Sequence, residues 1–159
     1  MRVLLAILCL MMVSTPMHSN DDCVRALPEP IVITSHLDLS HYELKKQDSR
    51  HIEEVIQLKT GRKVIIAQYG CVHFGLSYKF LMDKEFVGSE ISLAEKLLGE
   101  VSNVAPTFTQ TLIAKLSEIS EDYPTPEMVT FEVGYDLMHL KFEEVAGQTH
   151  FVISYDIAL

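Results

Sequence analysis

The way hydrophobic periodicity changes along the chain predicts an α+β fold: an antiparallel sheet of about five to six strands, two helices packed on one of its faces, and one disulfide. Three observations carry this expectation. Alternating patterns occupy the first and last thirds, a three-to-four-residue period occupies the middle, and two cysteines remain once an N-terminal leader is set aside.

The leader is read first. Met1 and Arg2 precede an apolar run from Val3 to Val13 and a short polar stretch from Ser14 to Ser19. A helix crossing a bilayer takes about 20 apolar residues, so the run fits a secretory signal over residues 1–19, with a single domain over residues 20–159. The competing reading, an uncleaved short anchor, rests on Met17, a poor residue at the third position before a cut after Ser19. Export implies a periplasmic or secreted product, and no later segment is apolar enough to span a membrane.

Loss of the leader removes Cys9 and leaves Cys23 and Cys71. Two thiols in an oxidising compartment most simply pair. The bridge would close a loop of about 49 residues, worth about 4 kcal/mol in the chain-entropy model. Cys71 also stands two positions from His73, the spacing that puts both side chains on one face of a strand, as a metal ligand pair or a thiol with its base would need. A disulfide would remove Cys71 from either role.

Pro28 and Pro30 make a stiff extended entry. From Ile31 the pattern alternates, with Ile31, Ile33, Leu37 and Leu39 on one side and Thr34, His36 and Asp38 on the other, which predicts a first strand followed by a polar loop from Lys45 to Arg50. Two β-branched runs separated by Thr60 and Gly61 predict a hairpin, because glycine supplies the positive φ of its turn. Its first arm also fits a helical face through Ile52, Val55 and Ile56, although strand is preferred. A further strand runs from Val72 to Met82, where Gly75 marks a bulge or a tight contact.

The period then lengthens. Ser89 or Ser92 can cap a helix with the apolar stripe Ile91, Ala94, Leu97, Leu98 and Val101, and Glu95 would complete a capping box on Ser92. Pro106 opens a second helix striped by Phe108, Leu112, Leu116 and Ile119, which ends before the segment from Tyr123 to Pro126. The last third returns to strands. A turn at Ala146 and Gly147 sets Phe142 opposite Phe151, Leu140 opposite Ile153 and Met138 opposite Tyr155.

Without Arg2 the chain has 12 Lys and Arg against 22 Asp and Glu, a formal charge of 10 negative. That argues against nucleic acid, whose phosphates require a basic face, and favours a basic protein partner. Acidity is also a common source of solubility. The carboxylates beside aromatics on the C-terminal hairpin, Glu143, Glu144 and Asp156, are the candidate binding residues.

Catalytic signatures are sparse. The sequence contains no Gly-x-Ser-x-Gly elbow, His-Glu-x-x-His helix, phosphate loop or dinucleotide glycine pattern. Ser77 near His73, and Ser154 opposite His139, are the Ser/His pairs. His36 and Asp38 would share a strand face without a third ligand, and His139 and His150 stand about 13 Å apart on the hairpin, too far to share an ion. No catalytic residue, metal or cofactor is assigned. These readings predict an exported acidic binding protein, an inhibitor or neutraliser of a cationic secreted or cell-wall-active enzyme. The alternatives are a small hydrolase or metal-dependent enzyme, and a structural subunit of an envelope assembly that pairs through an exposed sheet edge. Oligomeric state is left open.

Overall fold

Local turn chemistry sets many of the element boundaries. The computed structural model describes residues 28–70, 73–82, 86–118, 128–133 and 136–158. In chain order the elements are β1 (Leu39–Asp48), β2 (His51–Leu58), β3 (Lys63–Gly70), β4 (His73–Leu81), α1 (Glu90–Val101), α2 (Pro106–Ser117), β5 (Met128–Val133), β6 (Asp136–Val145) and β7 (Gln148–Ala158). The strands form one sheet in the order β1-β2-β3-β4-β7-β6-β5, with every neighbouring pair antiparallel. The helices are inserted between β4 and β5, and β4 pairs with β7 near the centre of the sheet.

The α+β expectation holds, and the sheet has seven strands rather than five to six. Two hairpins follow their turn residues. Gly61, at φ 91°, closes β2 onto β3, and Ala146 and Gly147, at φ 53° and 76°, form a two-residue turn with both positions left-handed. That turn sets the predicted register, in which Met138 faces Tyr155, Leu140 faces Ile153 and Phe142 faces Phe151. Ser89 caps α1 by accepting a hydrogen bond from the Ser92 N–H, so Ser92 lies inside the helix rather than at its cap. Pro106 occupies the first position of α2, where a missing N–H costs nothing.

The core lies between the helices and one sheet face. Ile56, Val64, Ile66, Tyr78, Phe80, Leu140, Phe151 and Ile153 meet Leu97, Leu98, Val101, Leu112 and Leu116, all essentially inaccessible to solvent. Burying each of these side chains contributes about 1.5–3 kcal/mol. Both predicted helix stripes face this core as far as they are described; Ile119 lies outside the described residues.

The N-terminal segment departs from expectation. Residues 31–38 turn instead of forming a strand, and β1 begins at Leu39 and runs through the predicted loop as far as Asp48. Val32 is buried while Ile33 and Leu37 are exposed, which inverts the alternation read from the sequence. The cause is Glu54, a fully buried carboxylate on β2. It accepts from the Ile31 N–H at 2.9 Å, the Val32 N–H at 3.1 Å, the Tyr42 hydroxyl at 3.3 Å and the Gln68 amide at 3.4 Å. The Ile33 N–H donates to the Val104 carbonyl at 2.7 Å, so this segment is fastened to a side chain and to the turn between α1 and α2 instead of to a strand ladder. The strands that precede the last turn are β5 and β6, paired to each other. Cys23 and Cys71 lie outside the described residues.

Candidate functional site on the open sheet face

Strand alternation places odd-numbered residues of β2, β3, β4 and β6, and even-numbered residues of β7, on the face turned away from the helices. Three adjacent cross-strand rows make up the middle of this face, and a further row beyond them carries Glu143 and His150. One end carries His51, Tyr69, Gly75, Asp156 and Leu137; the middle carries Glu53, Ala67, Ser77, Ser154 and His139; the other end carries Val55, Ile65, Lys79, Val152 and Lys141. The end rows are separated by about 13 Å along the strands.

At the first end the Tyr69 ring lies across Gly75, its partner in the neighbouring strand. A Cβ at position 75 would collide with the ring carbons, so only glycine allows this approach. The mid-strand glycine is thus a tight contact, as the sequence allowed. The Tyr69 hydroxyl donates to Asp156 Oδ1 at 3.3 Å, and His139 Nε2 stands 3.9 Å from Asp156 Oδ2. Partial burial, followed by the Asp156 charge, pushes the Tyr69 phenol above its ordinary pKa. Tyr69 and Leu137 flank Asp156 and remain 41% and 39% exposed, unusual for large apolar side chains in the body of a sheet.

The other end is basic. Glu143 is held by Lys141 at 2.6 Å and Lys79 at 3.5 Å, and these contacts, the Lys141 hydrogen bond foremost, lower its pKa. Glu144 accepts from the Thr149 hydroxyl. The three carboxylates selected from the sequence are therefore not gathered in one place. Glu143 shares the open face with Asp156 but faces His150, six residues along β7 and so about 20 Å away, and Glu144 takes the opposite side of β6.

Of the Ser/His pairs, Ser154 does face His139, and Ser77 lies beside Ser154 in the same row. With Asp156 near the imidazole, three residue types of a hydrolase are close together. β6 and β7 are interior strands, however, so main-chain N–H groups here are committed to the ladders on both sides and offer no oxyanion donors. His36 and Asp38 come within 3.6 Å, on a turn rather than a strand, and among the described residues no group of three or more His, Cys, Asp or Glu is placed to hold a metal ion. His73 begins β4 and is exposed on the open face.

Away from these rows, a concavity of about 410 Å³ is lined by Thr60, Gly61, Arg62, Lys63, Leu81 and Glu100. Arg62 is engaged within it, donating to Glu100 Oε2 at 3.1 Å and to the Leu81 carbonyl at 3.3 Å. No described helix is long and apolar enough to cross a membrane. The Tyr69–Gly75–Asp156 unit was not legible beforehand except through Gly75, because its members come from three strands and the hydrogen bond joins residues 87 positions apart. No family model, curated protein or solved structure matches this chain.

Proposed function

We propose that the chain is an exported acidic protein that acts by binding a basic protein partner, as an inhibitor or neutraliser of a cationic secreted or cell-wall-active enzyme would. The observation that carries this reading is the Tyr69, Asp156 and Leu137 row, in which two exposed apolar side chains flank one carboxylate on a floor of Gly75, Ala67, Ser77 and Ser154. Aromatic and aliphatic anchors supply contact energy, and a carboxylate between them selects a cation. The lysines of this face stand at its far end, where Glu143 partly neutralises them. An excess of carboxylates over the whole chain adds long-range attraction, screened beyond about 8 Å at physiological salt.

The test is affinity capture from the native extracellular or periplasmic fraction, followed by association kinetics with the captured protein at low and high salt. The expected partner is basic, and its association slows as salt rises. Asp156→Asn and Tyr69→Ala should each weaken binding by at least about tenfold, as central anchors do. Glu143→Gln and Glu144→Gln should have less effect. Association indifferent to salt and to both strong substitutions would refute the proposal.

A further inference from the structure

The exposed edge of the sheet at β1 is self-complementary, and we infer that it pairs with β1 of a second copy of this chain. The inference is independent of the partner proposed for the open face. Among the described residues β1 pairs only with β2, so its other side is an open edge. The direction of its main-chain groups follows from the neighbouring hairpin. The Leu58 N–H donates to the Arg62 carbonyl and the Gly70 N–H to the Arg50 carbonyl, so even-numbered residues of β2 bond β3 and odd-numbered ones bond β1. Through the pairs Gln57 with His41, Val55 with Glu43 and Glu53 with Lys45, the odd residues of β1 are used inward. Tyr42, Leu44 and Lys46 therefore present their N–H and C=O groups to the open side.

An antiparallel two-fold through Leu44 matches the side chains as well as the backbone. It sets Leu44 against its own copy on the axis, and Glu43 against Lys45 and Tyr42 against Lys46, the latter two pairs each occurring twice. Leu44 is 44% exposed, beyond the cover of the helices, and would be shielded by the second Leu44. Glu43 has no ion-pair partner among the described residues, whereas Lys45 stands 3.9 Å from Glu53, so pairing would extend that contact into a Glu53–Lys45–Glu43 row across the two chains. Lys46 would lie beside the Tyr42 ring, a cation against an aromatic face. The register breaks between Leu39 and His41 and between Lys46 and Asp48 confine regular pairing to the stretch between them, which limits slippage. Lysines on an edge ordinarily discourage pairing with arbitrary strands. Here the same lysines favour the one strand that places a carboxylate opposite Lys45.

Sedimentation equilibrium from roughly 1 µM to roughly 1 mM, the range in which an interface this small associates, tests the inference. A monomer–dimer equilibrium is expected. Leu44→Pro should abolish it without unfolding the chain, because the lost N–H is the outward one and proline is tolerated on an edge strand. Glu43→Lys should weaken it by about tenfold or more by setting like charges opposite at two symmetric positions, and the double exchange Glu43→Lys with Lys45→Glu should restore it. Circular dichroism confirms that each variant is folded, and Glu43→Lys, which leaves the backbone untouched, stands in if Leu44→Pro is not. A monomer throughout the range, or a dimer unaffected by the folded variants, overturns the inference.

Discussion

The two faces of the sheet contain residues of similarly low exposure held in place for different reasons. On the helix side, Tyr78, Phe80, Phe151 and Ile56 are fully buried because large apolar side chains from two layers interdigitate. On the open side, Val152, Val55, Ser77 and Ala67 are 2–8% exposed, yet they are small residues standing among the longer side chains of their row neighbours. Lys79 and Lys141 flank Val152, and their aliphatic stems can shield it while the ammonium groups stay in water. Low exposure therefore means tight packing on one face and local shadowing on the other. Truncation should thus be costly on the first face and mild on the second.

The largest expected effect would break this comparison if it failed. Phe151→Ala should destabilise the domain by about 3–5 kcal/mol and Leu140→Ala by about 2–5, since each leaves a cavity that the helices cannot fill. His139→Ala, one position from Leu140 and on the other face, should cost less than about 1 kcal/mol. Denaturant unfolding measures all three, and equal losses on the two faces would contradict the distinction drawn between them.

The buried carboxylate tests the polar side of the packed face. Glu54→Leu should cost about 2–4 kcal/mol, because it strips acceptors from the Ile31 and Val32 N–H groups and from Gln68. Hydrogen exchange at those two amides should accelerate before the rest of the sheet opens. Unchanged protection would show that Glu54 does not fasten the segment.

Tyr78 sharpens the comparison through pH. Burial foremost, with the Glu54 charge adding to it and the Thr109 hydrogen bond partly opposing it, pushes its phenol up to about 12. The unfolded phenol ionises near its ordinary value of 10.0, so the contribution of this group is complete below pH 10 and is lost as pH rises towards 12. Tyr42 follows the same rule, its pKa also raised to about 12 by burial and Glu54. Tyr78→Phe forfeits the 2.9 Å bond to Thr109 and should cost about 1 kcal/mol at pH 7. Having no phenol to ionise, the variant should lose less stability than the parent between pH 10 and pH 12. Urea unfolding at pH 7 and pH 11 checks the sign.

The smallest effect belongs to the open face. Gly75→Ala should change stability by less than about 1 kcal/mol, because the obstructing group is a half-exposed Tyr69 ring that can swing away. Moving the ring should break its bond to Asp156 and bring the Tyr69 phenol back down towards 10.0. Ultraviolet phenol titration of the variant measures that shift, and an unmoved titration would show that the ring does not depend on Gly75.

Much of the fold was legible because the signals were local. Ala146 and Gly147 dictate a turn, the turn dictates a register, and period-two alternation then decides which side of β6 and β7 faces inward. Helix boundaries were similarly readable, since Ser89 and Pro106 act within a single turn of their own helices. The candidate site was barely legible. Glu143, Glu144 and Asp156 share a hairpin in sequence, yet two faces and six residues of β7 keep them apart. The anchor Tyr69 lies on β3, which reaches Asp156 only through β4.

By itself, then, the chain's order of residues determined most of the element types, the starts of both helices to within a few residues and the register of the last hairpin, because each depends on neighbours within a few positions or on a turn that joins them. Only the tertiary structure decided three other things. Glu54 drew Ile31 and Val32 out of an alternating strand, because a buried carboxylate must collect donors wherever the fold supplies them. The pairing of β4 with β7 brought Gly75 beside Asp156. The limited reach of the helices left Leu44 uncovered at the β1 edge. Each of these joins parts of the chain with no local signal for one another, and the free energy of satisfying buried polar groups and covering apolar surface is realised only when the whole domain closes.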